Sequence, residues 1–530
     1  MTRTLAILTL DVKNVAFSQP NDRWRKLRRL ATLHLLYAKK LRESLPVREG
    51  EVRDMLNAIV ADAAATDVTK TSEAADGAKY AATEANEGIE LRKYLNRVTL
   101  NNIMHLTVGK RFSYSSIRGA AGVTPKAILE AAMKIDWNER IATRTGEMGS
   151  DSAAEGNCAA AAAEGNSSKL SSLTEEEEGE LAFAIMEETF ALVGPFNLTD
   201  YVLWLSYRDP QRIYVRIERL TPLLHGFLRA CIEERRQLLK DSKNQSRIRD
   251  APSPSRESAA EDLSAASGNA DGSRKEGSDQ KAPEAAFVDA LFEIEGEGED
   301  EMDKDEMLML VTLEWALAEL AQHPDMQERV RAEVDAAYAR SASAEAETGA
   351  AEAGGTDFMV SLPVADMPYL QAVLKETLRH HTTAPILIPH MTSDSVTLGG
   401  YHIPPNTMIQ INAWALAHDP TVWIKPHEFD PSRFLGPDAP DLTGQNFSLL
   451  TFGSGRRGCL GLNLGTDLSA RLLANFIRRF QIELPEDVQA AGGVDMTEHF
   501  ALTAMLAKPL RVVLRERKGV VGAVVADAGA

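Results

Sequence analysis

The spacing of apolar residues along the chain predicts mostly helix. Residues 24–42 alternate apolar and basic positions at helical intervals, which predicts an amphipathic helix with a basic face. Thr174 and the four glutamates after it supply a cap and an acidic first turn for a helix over 181–192. Residues 307–321 are apolar on nearly every face, which predicts a buried central helix, and 368–381 form a further helix.

Short alternating segments predict a minor β component. Residues 395–398 and 401–403 flank a Gly399-Gly400 turn, and residues 407–412 alternate in polarity after two prolines. These segments predict a small sheet made of hairpins. The fold class that the pattern indicates is mainly α with small β-sheets.

Three polar segments interrupt the pattern, at 141–172, 241–283 and 341–355. Ala, Ser, Gly and charged residues dominate them, and 241–283 contains no aromatic residue. Such segments cannot bury enough apolar surface to offset the entropy of ordering them. We interpret them as flexible insertions in a single domain spanning 1–530, followed by a disordered tail at 519–530.

Charge and hydropathy exclude two classes of protein. The chain has 58 Lys and Arg against 77 Asp and Glu, a net charge of −19, which disfavours nucleic-acid binding. The apolar run at 5–10 is far shorter than the roughly 20 residues that span a bilayer. No other charge-free stretch reaches that length, so the sequence predicts no transmembrane helix.

One of the three cysteines stands in an unusual setting. Cys158 and Cys231 have the surroundings of ordinary buried thiols, and no close pairing suggests a zinc site or a redox dithiol. Cys459 follows Arg456 and Arg457 in a glycine-rich loop, and a helix is predicted from about residue 464. Positive charge, backbone N–H groups and a helix N-terminus all favour a metal-binding thiolate, beside which a flat cofactor can lie against Phe452.

A second interpretation of the same loop remains open at this stage. Residues 453–458 match the G-x-G-x-x-G fingerprint of dinucleotide-binding proteins, between a strand-like stretch at 449–452 and a helix. The match is weak alone, because a dinucleotide-binding fold needs repeated βαβ units and the upstream pattern is helix, hairpin and loop.

The cysteine loop resembles the F-x-x-G-x-R-x-C-x-G signature of the cytochrome P-450 family, which it matches at Phe452, Gly455, Arg457, Cys459 and Gly461. The resemblance implies the cytochrome P-450 fold, with haem b as cofactor and Cys459 as the catalytic residue and axial ligand of the iron. Phe452, Arg457 and Gly461 would belong to the haem-binding loop. Residues 101–112, 196–202, 312–320 and 399–404 look like plant microsomal members, which include phenylpropanoid and flavonoid hydroxylases.

The resemblance also implies a buried structural triad of Glu376, Arg379 and Arg433. Glu376 and Arg379 share one helix face at i and i+3 within an apolar helix. The same spacing occurs at 233/236 and 328/331, where we expect solvated surface pairs. The apolar surroundings, and not the spacing, distinguish the triad.

Four residues are implied as contacts of the haem propionates: Trp24 and Arg28 of a W-x-x-x-R helix, Arg457 and His390. The planar fork of arginine suits carboxylates. Arg23, Arg25 and Lys26 are expected to form a solvated face or a docking surface for an acidic partner, and His380 and His381 to be surface residues. The substrate pocket would include Ala384, Ile386 and Leu502.

The sequence departs from the family pattern in two places. Trp24 stands almost at the start, where family members first have a membrane anchor and further elements, so we expect an N-terminally truncated sequence. In the central helix, Met307 and Leu308 occupy the positions of the acid and alcohol that deliver protons to iron-bound dioxygen. Neither side chain can relay a proton.

The leading hypothesis is a haem-thiolate monooxygenase that inserts one oxygen atom of O2 into a small lipophilic substrate, of the phenylpropanoid, flavonoid or fatty-acid class. An NADPH-cytochrome reductase would supply the electrons. By resemblance the enzyme would lie at the cytosolic face of the endoplasmic reticulum, although we expect no membrane anchor in this chain. The alternative is a haem-binding relic that lacks turnover, motivated by the missing acid and alcohol.

Overall fold

The computed structural model describes residues 18, 20–73, 88–114, 125–133, 137, 175–193, 208–249, 286–289, 307–348, 363–500 and 503–517. The predicted insertion at 141–172 and the predicted tail at 519–530 lie outside these residues, as do 250–283 and 349–355. No helix within the described ranges is long and apolar enough to cross a membrane.

Helices dominate the described residues. They are α1 (Asp22–Ala31), α2 (Ala38–Glu43), α3 (Leu45–Glu73), α4 (Arg92–Val108), α5 (Pro125–Ala132), α6 (Glu175–Val193), α7 (Ile213–Arg249), α8 (Met307–Gln322), α9 (Pro324–Thr348), α10 (Pro368–His380), α11 (Ala413–Ala417), α12 (Leu462–Arg479) and α13 (Glu486–Ala490). Helices α6, α8, α10 and α12 confirm the helices predicted over 181–192, 307–321, 368–381 and from about 464.

The basic helix predicted over 24–42 is not continuous. Helix α1 is capped by Asn21, whose side chain accepts a hydrogen bond from the Trp24 backbone N–H at 2.8 Å. A π-helical turn over Thr32–Leu36 follows, and Tyr37 is extended before α2 begins. The Thr32 hydroxyl donates to the Arg28 carbonyl at 2.8 Å, a bond that competes with the regular backbone pattern where α1 ends. The single-helix prediction was therefore wrong.

Two helices run into segments that we interpreted as insertions. Helix α7 continues to Arg249 and α9 continues to Thr348. Alanine-rich sequence favours helix in the second case, and in the first the Gln237 side chain donates to Asp241 one turn later. Local propensity thus extends each helix past the point where its apolar face ends.

The strands form small separate sheets. They are β1 (Ile89–Glu90), β2 (His390–Met391), β3 (Val396–Leu398), β4 (Tyr401–Ile403), β5 (Met408–Ile409), β6 (Phe480–Glu483), β7 (Glu498–Phe500), β8 (Ala504–Leu506) and β9 (Arg511–Glu516). All pairs are antiparallel: β1-β9-β6, β2-β5, β3-β4 and β7-β8. The predicted hairpin sheet is split into β3-β4 and β2-β5, because Pro404 and Pro405 lack the N–H groups that a continuing ladder requires.

Helix α8 is the centre of the main core. Residues 311–321 of this helix are all buried, which confirms the predicted central helix. Helices α4, α10 and α12 pack around it, and the Trp315 indole N–H donates to the Ala504 carbonyl of β8 at 3.1 Å. A second apolar cluster joins α4, α5, α6 and α7. The cysteine loop leads directly into α12, so packing of α12 on α8 fixes the position of that loop.

The core predicts the stability effect of one substitution in α12. Leu473 is fully buried in the main core, so Leu473→Ala is expected to lower the free energy of unfolding by about 2–5 kcal/mol through lost burial and a cavity. Leu238→Ala in α7 is the matched control, since Leu238 is 51% exposed. Chemical denaturation of both variants measures the effect, and equal losses would contradict the assignment of α12 to the core.

Candidate functional site

The cysteine loop folds back on itself ahead of α12. The Cys459 N–H donates to the Phe452 carbonyl at 2.8 Å, and the Gly458 N–H donates to the Gly455 carbonyl at 3.1 Å. Gly461 is the N-cap of α12, which begins at Leu462. Half-buried Cys459 therefore stands just before a long helix, where backbone N–H groups and the helix dipole favour a thiolate.

Glycine is required in this loop by its backbone conformation. Gly453 and Gly455 have φ of 69° and 67°, in the left-handed region that other residues rarely adopt. A side chain at Gly444 would also collide with the Gly453 carbonyl, since its Cβ would lie 2.2 Å from that oxygen. Residues 449–452 form a turn and no strand, with the Gly453 N–H bonded to the Leu450 carbonyl at 2.8 Å. The strand expected before a dinucleotide-binding turn is therefore not formed there.

Helix α1 brings Trp24 and Arg28 to the same loop, which contributes Arg457 itself. Arg28 donates to the Gly458 carbonyl at 2.7 Å, and Arg457 donates to the Ser18 carbonyl. The guanidinium carbons of Arg457 and Arg28 lie 4.5 and 5.6 Å from the centroid of the buried Trp24 ring. Three of the four residues predicted to contact propionates are thus brought together beside Cys459.

The electrostatics of this group suit an anionic cofactor. Burial, and then the charge of Arg28, lower the pKa of Arg457 from its ordinary value. The guanidinium therefore lies in a locally positive environment, which a carboxylate would stabilise. A thiol and an arginine pair are chemically compatible with a haem, whose iron the sulfur would hold and whose carboxylates the arginines would hold. Gly461, at the other end of the loop, is the N-cap of α12.

His390 lies on strand β2. It is exposed there, opposite Ile409 of β5. No contact among the described residues joins His390 to Trp24 or Arg457. Its predicted role at the propionates stays a prediction.

The predicted pocket residues are only partly described. Ala384 is half-buried, and Ile386 is 40% exposed and bridges to Asn412. Leu502 lies outside the described residues. The backbone of Met307 and Leu308 forms the first turn of α8. The acid and alcohol of the family pattern were expected at these two positions.

A small, partly open cavity lies between α10, α12, the cysteine loop and the central helix α8. Phe452, Thr312, Leu374, Leu378 and Ser469 are among its lining residues. Thr312 also lies 3.2 Å, hydroxyl to hydroxyl, from Thr383. Sequence reasoning missed this buried pair, because the two residues belong to segments far apart in the chain.

The predicted triad forms one ion-pair network. Two nitrogens of Arg379, Nε and Nη2, each donate to a Glu376 carboxylate oxygen at 2.7 Å, and both side chains are fully buried. Arg433 Nε donates to Glu376 Oε1 at 3.3 Å. Arg379 also donates to the carbonyls of Ala417 and Pro426, at 2.9 and 2.8 Å. The network ties α10 to the long segment that leads to the cysteine loop.

The expectation that His381 is a surface residue was wrong. His381 is 6% exposed, its ring stacks on Trp315 with centroids 3.9 Å apart, and its Nε2 lies 2.7 Å from Glu319 Oε1. Burial opposes ionisation of Glu319, but hydrogen bonds from His323 and His381 outweigh it and lower the pKa of Glu319 to about 2. A buried carboxylate needs a hydrogen-bonding or charged partner. The presence of Glu319 in the apolar helix α8 therefore indicated, from the sequence alone, that a polar side chain is buried beside it.

Comparison with known proteins establishes the class. The chain from 168 to 491, more than half of the protein, matches the sequence model of the family described as Cytochrome P-450. The protein therefore belongs to the cytochrome P-450 family, whose members are monooxygenases with haem b as cofactor. They draw electrons from a reductase partner and use O2. Membership excludes the dinucleotide-binding interpretation of the glycine loop.

The relatives place it among the plant members. Cytochrome P-450 78A1 of Zea mays is 29% identical over 516 residues, which cover 94% of this chain and 70% of the relative. A flavonoid 3',5'-hydroxylase of Crocosmia x crocosmiiflora is 32% identical over 327 residues, 61% of this chain and 54% of the relative. These comparisons lend no support to the alternative of a relic without turnover.

A solved structure agrees on the fold. A zebrafish cytochrome P-450 structure with progesterone has a TM-score of 0.51 at 19% identity, covering 97% of this chain and 87% of that one. At this identity the likeness concerns the fold alone. It confirms the predicted class, a mainly helical cytochrome P-450 fold with small sheets.

The ion-pair network predicts a large loss of stability on removal of its carboxylate. Glu376→Ala leaves the Arg379 charge buried without its anion and is expected to cost about 3–5 kcal/mol of unfolding free energy. Glu328→Ala removes a carboxylate with the same i,i+3 arginine spacing, but Glu328 is 65% exposed, and the expected cost is below about 1 kcal/mol. Denaturant titration compares the two. A similar small loss in both would contradict a structural role for the network.

Proposed function

We propose that this chain is a haem-thiolate monooxygenase, folded as one domain, that inserts one oxygen atom of O2 into a small lipophilic substrate of the phenylpropanoid, flavonoid or fatty-acid class. The observation that carries the proposal is the meeting of Cys459, Arg28, Arg457 and Trp24 at one loop. A thiolate and a neighbouring pair of arginines suit a cofactor that has a metal at its centre and carboxylates at its edge.

Each group at the loop has a distinct task in this proposal. The N–H groups around Cys459 and the start of α12 keep its sulfur ionised as the iron ligand. Arg28 and Arg457 bind the propionates, and Trp24 holds both guanidiniums by its ring face. Phe452 anchors the loop through its carbonyl and lines the cavity toward α8. When bound, haem supplies the activation of O2, which thiolate ligation favours.

The substrate class rests on the relatives and on the apolar approach to the site. One of the relatives is named as a flavonoid 3',5'-hydroxylase. Ala384 and Ile386 supply small and apolar side chains after α10, and we assign them with Leu502 to the substrate pocket. His390 completes the proposed set of propionate contacts.

The proposed electron donor is an NADPH-cytochrome reductase. Arg25 and Lys26 are exposed on α1, on the helix whose Trp24 and Arg28 contact the cysteine loop. A basic face at this position suits an acidic partner that delivers electrons near the thiolate. Such a reductase belongs to the cytosolic face of the endoplasmic reticulum, which is the location that we propose.

Haem-thiolate ligation has a direct spectroscopic test. The reduced protein with carbon monoxide should show the red-shifted Soret band of a thiolate-ligated haem, and Cys459→Ala should lose that band. Cys231→Ala is the matched control, because Cys231 is a buried thiol in the second apolar cluster. Survival of the band in Cys459→Ala would overturn the assignment of the ligand.

The arginine pair predicts a difference between two adjacent residues. Arg457→Ala removes a charge-assisted contact worth about 1.5–3 kcal/mol, so haem should leave roughly 10–100 times faster. Arg456→Ala serves as the control, since Arg456 is exposed on the same turn. Transfer of haem to an excess of a haem-scavenging apoprotein measures both rates. Equal rates in the two variants would remove Arg457 from the proposed site.

A further inference from the structure

Five of the eleven histidines of the chain gather at the end of α10: His323, His380, His381, His418 and His427. We propose that Glu319, His380 and His381 of this group form a binding site for a zinc ion, separate from the haem site. One ligand atom from each of the three side chains lies within 4.8 Å of the other two. The proposal does not depend on the proposed substrate or reaction.

The donor set has the composition of a zinc site. Two imidazoles and one carboxylate, with a fourth position for water, are a common ligand set for this ion. Glu319 comes from α8, whereas His380 ends α10 and His381 follows it, so the three donors converge from two helices that pack together. Glu319 and His381 are buried and His380 is half-buried, which leaves one side for an ion to enter.

The distances between the donor atoms, 2.7 Å for one pair and at most 4.8 Å for the others, bracket the distance between ligands of a zinc ion. Ligands about 2.1 Å from a tetrahedral zinc ion lie about 3.4 Å from one another. Glu319 Oε1 and His381 Nε2 are 2.7 Å apart, so an ion that replaces their shared proton would separate them by several tenths of an ångström. The rings of His380 and His381 are perpendicular with centroids 4.7 Å apart, so they present their nitrogens from different directions.

Neighbouring groups hold two of the donors in position. Trp315 stacks on the His381 ring at 3.9 Å and fixes its plane. His323 Nδ1 lies 3.4 Å from Glu319 Oε2, the carboxylate oxygen that does not contact His381. Second contacts of this kind orient the ligands in known metal sites. The pair is therefore arranged before an ion arrives.

The nearby positive charge of Arg379 is compensated within the protein. Its Nη2 contacts His380 Nδ1 at 3.2 Å. Ligation through His380 Nε2 places the ring proton on Nδ1, so Nδ1 can no longer accept a hydrogen bond and this contact is lost. Arg379 would keep its two 2.7 Å bonds to Glu376 and its bonds to the carbonyls of Ala417 and Pro426. The contact that is lost is longer than any of these four, and Glu376 continues to neutralise the guanidinium.

The site is distinct from the proposed haem site. Glu319 follows Thr312, a lining residue of the cavity at the cysteine loop, by two turns of α8. Its donors are imidazole and carboxylate, whereas the cysteine loop offers a thiolate. Zinc content and iron content therefore report on the two sites separately.

Zinc binding by the 530-residue, tag-free protein tests the proposal. Protein stripped with a chelator is dialysed against Zn²⁺, its zinc content is measured by mass spectrometry, and its affinity is measured by competition with a chromogenic chelator. We expect one zinc per chain beyond any iron. Zinc K-edge absorption, which haem iron does not disturb, should show two imidazole ligands.

Substitutions then identify the ligands. His380→Leu should weaken zinc binding at least roughly 100-fold, since loss of a residue that only hydrogen-bonds to a ligand already costs about 10–100-fold. Glu319→Gln should do the same while keeping an oxygen for His381 to bond. His402→Leu is the control, because His402 is exposed on β4, and its zinc affinity should match the parent protein. Thermal melting without zinc shows that each variant is folded.

Two results would overturn the site. One is a parent protein that retains no zinc at micromolar concentration. The other is a folded His380→Leu variant that binds zinc as tightly as the parent. If Glu319→Gln fails to fold, His380→Leu alone decides, because its half-buried ring can be replaced by leucine without placing a charge in the core.

Discussion

The buried charge of Arg379 is the constraint on which the rest of this structure depends. A guanidinium without solvent contact costs several kcal/mol unless its charge and its N–H groups are satisfied. Glu376 supplies the anion one turn earlier on α10, and the Ala417 and Pro426 carbonyls satisfy Nη1. Because those carbonyls belong to the last residue of α11 and to the irregular segment after it, satisfying Arg379 also fixes the path of the chain toward the cysteine loop.

The cysteine loop receives its position from two directions. On its C-terminal side the loop leads into α12, which packs on α8 in the main core and so positions Gly461 and Cys459. On the N-terminal side of the cysteine, Arg28 of α1 binds the Gly458 carbonyl. A loop held at both ends in this way can present a sulfur in one orientation, although four of the ten residues at 452–461 are glycine. Rigidity here comes from the helices, and glycine supplies only the turn.

The sequence sufficed for the features that depend on local pattern. The central helix followed from its apolar residues, and the site cysteine from the glycines and arginines around it. Contacts between distant segments could not be predicted in the same way: nothing near His381 in the sequence indicates that Glu319 lies 2.7 Å away. The break at Tyr37 was missed for another reason, since a side-chain bond from Thr32 and an extended residue interrupt a pattern whose periodicity continues.

Arg379 and Arg457 differ in how their charges are balanced, and this difference separates a structural arginine from one that suits ligand binding. Arg379 has a bidentate carboxylate from its own helix, so its charge is neutralised before any ligand arrives. Arg457 donates to a carbonyl, and its pKa is lowered by burial and by the second guanidinium of Arg28. A carbonyl satisfies an N–H without cancelling the charge. An anion that binds beside Trp24 would therefore be stabilised by the two neighbouring guanidiniums of Arg28 and Arg457.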